Sequence, residues 1–116
     1  MAYQTRDVVS SMSEASGHTV ELLRADGGAA AMDLLLQLQA DQIQVPVARP
    51  VNQETTAMGA AYLAGLAEGV WAGLDDVTDA WQLDAQFEPQ AAQADADAKH
   101  AMWLRAVERS RGWAKD

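Results

Sequence analysis

The sequence predicts an α/β fold: two parallel strands, helices flanking them, and a sheet too small to be complete. Three observations lead there. Helix-spaced apolar positions alternate with short apolar runs in the order helix, strand, helix, strand. A strand, a helix and a second strand in succession favour a parallel pair. Two strands alone are marginal in water, so these require partners that the readable elements do not supply.

Residues 2–16 carry Val8, Met12 and Ala15 at helical spacing, and Gly17 is placed to end the helix in the left-handed conformation. Residues 19–25 read as the first strand, centred on Val20, Leu22 and Leu23, and Gly27-Gly28 breaks it. A helix from Ala29 to about Ile43 presents Leu34, Leu35, Leu38 and Ile43. Val45 to Ala48 is a short strand, with Pro46 restricted to its edge or first position. Arg49 to Gln53 reads as a loop, and a helix starts at Thr55 or Thr56, either of which can cap it. Its small residues, Ala57, Ala60, Ala61, Ala64 and Ala67, imply close backbone approach. Gly59, which costs about 1 kcal/mol against alanine in a helix, is the expected contact. Leu74 to Trp81 is a short helix, and Gln82 to Pro89 is extended or irregular. A last helix spans roughly Ala91 to Ala114, with His100, Trp103, Val107 and Ser110 on one stripe.

Composition narrows the function. The 116 residues hold 17 acids against 8 bases, a net charge of −9, and that field repels duplexes and phospholipid surfaces. The bases between Arg105 and Lys115 sit beside Glu108 and Asp116, so neither nucleic acid nor membrane is an expected partner. No apolar run is long enough to span a bilayer, and the polar start lacks the apolar stretch of a signal peptide. Cysteine is absent, which excludes disulfides, thiolate metal sites and cysteine nucleophiles. A cytoplasmic protein is the expectation.

The segment with most chemical content is Asp26-Gly27-Gly28-Ala29, where a strand becomes a helix. Ligands of open parallel sheets bind at the carboxyl ends of strands. Glycine lets the backbone approach a ligand, and a helix start offers free N–H groups. The residues alone leave two readings open: a nucleotide contact at Gly27, Gly28 and Ala29, or a tight turn with Asp26 as a local cap.

Three segments then act together: AYQTRDV at 2–8, RADGGAAAMDLLLQLQAD at 24–41, and RPVNQETTAMGAAYLAGLAEGVW at 49–71. In order and separation they resemble the C-terminal domain of the FGGY carbohydrate kinases, and within that family the glycerol kinases. Phe87-Glu88-Pro89, His100, Trp103 and Arg105-Ala106-Val107 resemble its closing helix, at 90–116. The resemblance implies that 1–116 is the C-terminal part of that domain, with a partial actin-like ATPase (ribonuclease H-like) fold. It implies an ATP:glycerol phosphotransferase that uses ATP and Mg2+. The N-terminal domain, the phosphate loops, the polyol site and the aspartate base all lie upstream of the matched segments. These residues would contribute part of an adenosine site and no catalytic group, and would be inactive alone. The implied nucleotide-binding residues are Gly27, Gly28, Ala29 and Met32. At Met32 the family usually has an adenine-contacting asparagine, and methionine lacks that amide's donors and acceptor. Implied partners are ATP or ADP, the upstream domain and, in the complete enzyme, glycerol; self-association is compatible with the sequence. Two alternatives stand beside this reading: a non-catalytic interaction module derived from a sugar kinase, or a piece of another FGGY sugar kinase.

The remaining candidates read as structural. Asp75, Asp76 and Asp79 suit an acidic helix start, favoured by the dipole. His18 and His100 are too few and too distant for zinc, so no metal site is expected. Ser10, Ser11, Ser13 and Ser16 have no nucleophile setting. Trp103 belongs to the core, and Trp113 is expected to be exposed. Arg6 and Asp7 suit either a pair across a domain boundary or an ordinary surface pair.

Overall fold

The structure, a computed structural model, describes residues 1–112. The expectations for Trp113, Lys115 and the helix end at Ala114 lie outside them. The elements are helix α1 (Ala2–Ser16), strand β1 (Leu23–Arg24), a 3-10 turn (Gly28–Ala31), α2 (Asp33–Ile43) and β2 (Val47–Pro50), then α3 (Thr55–Ala67), α4 (Leu74–Asp79), β3 (Leu83–Phe87) and α5 (Gln93–Ser110). They form an α/β unit around a three-stranded mixed sheet in the order β1-β2-β3. The expected parallel pair is present: Leu23 lies opposite Val47, and Arg24 opposite Ala48. The third strand corrects the two-strand expectation. Residues 83–87, read as extended or irregular, run antiparallel to β2, with Phe87 opposite Val47 and Ala85 opposite Arg49.

The first strand is shorter than expected. Its regular pairing is limited to Leu23 and Arg24, flanked by the Leu23 N–H to Pro46 carbonyl bond (3.0 Å) and the Ala25 N–H to Ala48 carbonyl bond (2.9 Å). As an edge strand it has a pairing partner on one side only, and β2 begins at Val47, so residues 19–22 find no ladder. The second strand runs two residues later than expected. Pro46 cannot donate and precedes it, while Arg49 and Pro50, read as loop, belong to it.

The core lies between the sheet and α2. Leu36 and Ala40 on α2 pack with Ala30 and Val47, and Leu23, Ala25, Ile43 and Phe87 close the cluster. Burying Leu36 contributes about 2 kcal/mol on the usual area scale. Outside α2 lies α1, where the buried Gln39 amide donates to Thr5 Oγ1 at 3.2 Å. The Gly17 stop is as expected, left-handed with φ 70°. The expected Val8–Met12–Ala15 stripe, however, faces outward, with Val8 and Met12 each 58% exposed. Tyr3, Thr5, Arg6 and Val9 face inward in its place, because α2 and α5 present polar partners to this helix.

Asp41 joins α2 to the start of α5. One carboxylate oxygen accepts the Gln90 and Ala91 backbone N–H groups (2.7 and 3.1 Å) and the Gln37 amide (3.1 Å). Burial pushes this carboxyl up, but the three donors and Lys99 outweigh it and hold it below the ordinary range. Neither threonine caps α3: Glu54 is the capping residue, and its own N–H is held by Asn52 Oδ1. Beyond its own helix backbone, Gly59 has no atom within 4 Å of where a Cβ would stand. The close contact is at Gly65, where a Cβ would overlap the Trp71 ring. Among the described residues, no helix is long and apolar enough to cross a membrane.

Candidate nucleotide-facing turn

Residues 26–33 form an open corner at the carboxyl end of β1. The expected continuous helix from Ala29 to Ile43 is divided. A 3-10 turn covers Gly28–Ala31, Met32 is extended (φ −91°, ψ 100°), and α2 starts at Asp33. The Ala30 side chain is buried in the core and pins the middle of the turn. Such a turn meets its short i, i+3 hydrogen bonds here through Ala30 N–H to Gly27 carbonyl (2.9 Å) and Met32 N–H to Ala29 carbonyl (3.2 Å).

The two glycines serve different needs. Gly27 has φ 79°, a conformation that side chains rarely adopt, and its N–H bonds the Gln53 carbonyl at 2.8 Å. Gly28 has no positive φ, and nothing lies within 4 Å of a Cβ built there. The fold itself therefore does not require glycine at 28. Among the described residues, the Gly28 and Ala29 N–H groups make no backbone hydrogen bond. Asp26 does not cap the turn, so the local-cap reading has no hydrogen bond to support it. Gly27, Gly28, Ala29 and Met32 thus stand together on one corner, with the Gly28 backbone open and Met32 51% exposed.

Arg49, not singled out in the sequence, organises this corner. Its Nη1 donates to the Ala30 carbonyl (3.0 Å) and to Asp33 Oδ1 (2.7 Å), and its Nε donates to Asp84 Oδ2 (2.7 Å). Asp33 and then Asp84 hold the guanidinium above its already high ordinary value. The available signal was parity: if Val47 is a core position on a strand, residue 49 falls on the same face. An arginine there requires carboxylate partners.

The other candidates are scattered. An apolar cavity of about 350 Å³ lies between Arg24, Met58, Gly59, Tyr62 and Trp81 and does not include the glycine corner. Asp75, Asp76 and Asp79 are exposed on and around α4, and Asp76 accepts the Ala72 N–H at 2.7 Å. His18 lies on a loop, bonded to the Ser16 carbonyl. Arg6 and Asp7 do not pair with each other: Arg6 meets Asp97, and Asp7 meets His100 and Trp103.

Residues 1–68 match the model described as the FGGY family of carbohydrate kinases, C-terminal domain. The chain belongs to this family. This FGGY chain is 51% identical over 115 residues to glycerol kinase 2 of Thermotoga maritima, which covers 99% of the chain and 23% of that protein. It is 49% identical over 116 residues to the glycerol kinase of Halobacterium salinarum, covering 100% and 23%. Among solved structures, Plasmodium falciparum glycerol kinase with ADP superposes with a TM-score of 0.80 at 30% identity, over 97% of this chain and 23% of that one. The FGGY chain therefore spans about a quarter of the length of these relatives.

Proposed function

We propose that this chain is the C-terminal part of an ATP-dependent glycerol kinase, and that its glycine corner forms one wall of the adenosine site. The reaction is transfer of the γ-phosphoryl group of ATP to a glycerol hydroxyl, giving glycerol 3-phosphate and ADP. The observation that carries the adenosine wall is Gly28. Its backbone would accept a side chain without strain or clash, and this bare, open surface supports its use as a wall against a ligand. Identities near 50% to glycerol kinases over the whole chain support the polyol class.

Within this wall, Gly28 and Ala29 would present their free N–H groups to the nucleotide, and Met32 would lie against the base. Among the described residues, no cluster of three or more His, Cys, Asp or Glu is placed to hold a metal ion. Metal ligands, the base that takes the hydroxyl proton and the phosphate cradle are functions of the remaining part of such an enzyme. ADP binding by this chain alone is then weak, with a dissociation constant on the order of a millimolar or above.

Complementation tests the proposal. The purified chain is mixed or co-expressed with the upstream portion of the Thermotoga maritima kinase, and glycerol-dependent ADP formation is measured. Activity is expected from the mixture and from neither part alone. In that assay Gly28→Val is expected to raise the KM for ATP about tenfold or more, as binding loses over 1.4 kcal/mol, while the melting temperature of the chain is unchanged. Turnover by the chain alone, or a Gly28→Val mixture with unchanged KM, would contradict the proposal.

Met32 gives a second test. It occupies the N-cap of α2 without a side-chain cap bond. Met32→Asn supplies both a capping oxygen and an amide for the base. The chain is expected to gain about 0.5–1 kcal/mol of stability from the cap. The complemented kinase is expected to bind ATP more tightly and discriminate more strongly against GTP. A stability gain with no change in nucleotide selectivity would remove Met32 from the adenine contact and leave only the cap.

A further inference from the structure

We propose that Arg49 is a positioning residue for the nucleotide, setting the direction in which the Gly28 and Ala29 amides face. The proposal rests on the adenosine reading of the corner. Its physical basis is the flexibility of the glycine pair. Consecutive glycines are the least restrained unit of a backbone, so the direction of their N–H groups must be imposed from outside the segment. A 3-10 turn with weak internal hydrogen bonds imposes little. Groups that bind a ligand well are those already held in place, because ordering them on binding reduces affinity.

Three ties hold the corner. Before the glycines, the Gly27 N–H is fixed to the Gln53 carbonyl. In the middle, the Ala30 side chain is sunk in the core. After them, Arg49 binds the Ala30 carbonyl and Asp33, the first residue of α2, through one nitrogen. The same guanidinium is fixed from behind by Asp84 next to β2, and it lies 5.6 Å from the centre of the Phe87 ring. With its side chain only 12% exposed, Arg49 connects the turn, α2 and the β2–β3 pair through one rigid planar group. It touches neither Gly28 nor Ala29, so its effect on a nucleotide passes through the turn.

Arg49→Lys separates positioning from bulk stability. A lysine keeps the charge and most of the stem but has no planar fork to meet Ala30, Asp33 and Asp84 together. The experiment is a titration of the isotope-labelled chain with ADP, read on the amide resonances of residues 27–32, alongside a thermal melt. Wild type is expected to show progressive shifts at these amides over millimolar ADP, from which its dissociation constant is fitted. Arg49→Lys is expected to weaken ADP about tenfold while the melt moves by no more than about 3 °C. Asp33→Asn, which loosens only the tie nearest the turn, is expected to weaken ADP in the same direction and stands in if Arg49→Lys does not fold. ADP affinity unchanged in Arg49→Lys, or in Asp33→Asn as its substitute, overturns the proposal. Gly28→Val distinguishes the two levels. If it abolishes the shifts while the Arg49 variant binds as wild type, the adenosine wall stands and positioning by Arg49 falls. If ADP leaves amides 27–32 of the wild type unshifted, or Gly28→Val binds as wild type, both fall together.

Discussion

Gly65→Ala is expected to destabilise the α3 region by about 2 kcal/mol, whereas Gly59→Ala, on the same helix, is expected to stabilise it. Both replacements gain up to about 1 kcal/mol of helix propensity. They differ in what the new methyl group meets. At Gly59 it meets nothing within 4 Å beyond its own helix backbone. At Gly65, the buried glycine of α3, it would overlap the six-membered ring of Trp71, a rigid group with no flexible end to swing aside. Trp71 is also held edge-on against Tyr62, with centroids 5.2 Å apart, and the preceding Val70 N–H bonds the Gly65 carbonyl at 2.8 Å. The ring must leave as a whole, and overpacking of this kind costs about 1–3 kcal/mol beyond any propensity gain. Urea melts followed by tryptophan fluorescence read the difference. Adding Trp71→Leu to Gly65→Ala is expected to recover 1 kcal/mol or so, because the two residues share one contact. Equal effects at the two glycines would mean that Trp71 does not close on α3 as described.

This pair of glycines also shows where sequence reading reached and where it stopped. That α3 needed close approach was legible from its alanines and glycines. Which glycine made the contact was not, because the partner lies beyond the helix in a turn whose path no periodicity records. The parallel β1–β2 pair followed from the order of elements. The third strand did not, since Leu83-Asp84-Ala85-Gln86-Phe87 alternates too weakly and is exposed at Leu83, Asp84 and Gln86. Gly27 and Gly28 were legible as a turn, but only coordinates separate a glycine required by its φ from one with free space around it. Arg49 was hidden by a two-residue shift of β2, which turned a core-facing arginine into an apparent loop residue.

A related argument explains why α3 is apolar on nearly every side yet leaves Leu63 71% exposed. A helix without a polar face is normally enclosed by protein. Under the proposed reading of the chain as part of a longer kinase, the rest of that enzyme would cover this surface, together with the outward Val8 and Met12 on α1.

Asp7→Asn is expected to release α5 from α1, with a pH dependence that identifies the cause. Asp7 Oδ2 accepts the Trp103 indole N–H at 2.8 Å, and Oδ1 accepts from His100 Nε2 at 2.6 Å. Tyr3 stacks on Trp103 with centroids 5.8 Å apart, and Arg6 meets Asp97 beside them. One carboxylate thus receives two ring N–H groups from a helix more than ninety residues away. Asparagine has a single acceptor oxygen, so its NH2 group would face one of those donors. Hydrogen bonds to a charged group are worth about 1.5–3 kcal/mol each when enclosed. Asp7 is 39% exposed, and solvent screening reduces the expected loss to about 1–2 kcal/mol. The Trp103 N–H, against an opposing push from burial, and then His100 and Arg6, hold the Asp7 carboxyl below the ordinary carboxylate value. A carboxyl lowered on folding adds stability that is fully present above its unfolded value, about pH 4. That stability is lost as pH falls through the lower folded value. The melting temperatures of wild type and Asp7→Asn should therefore differ at pH 5 and converge as acid protonates Asp7. A gap as wide at pH 2.5 as at pH 5 would assign the loss to packing of the side chain and not to its charge.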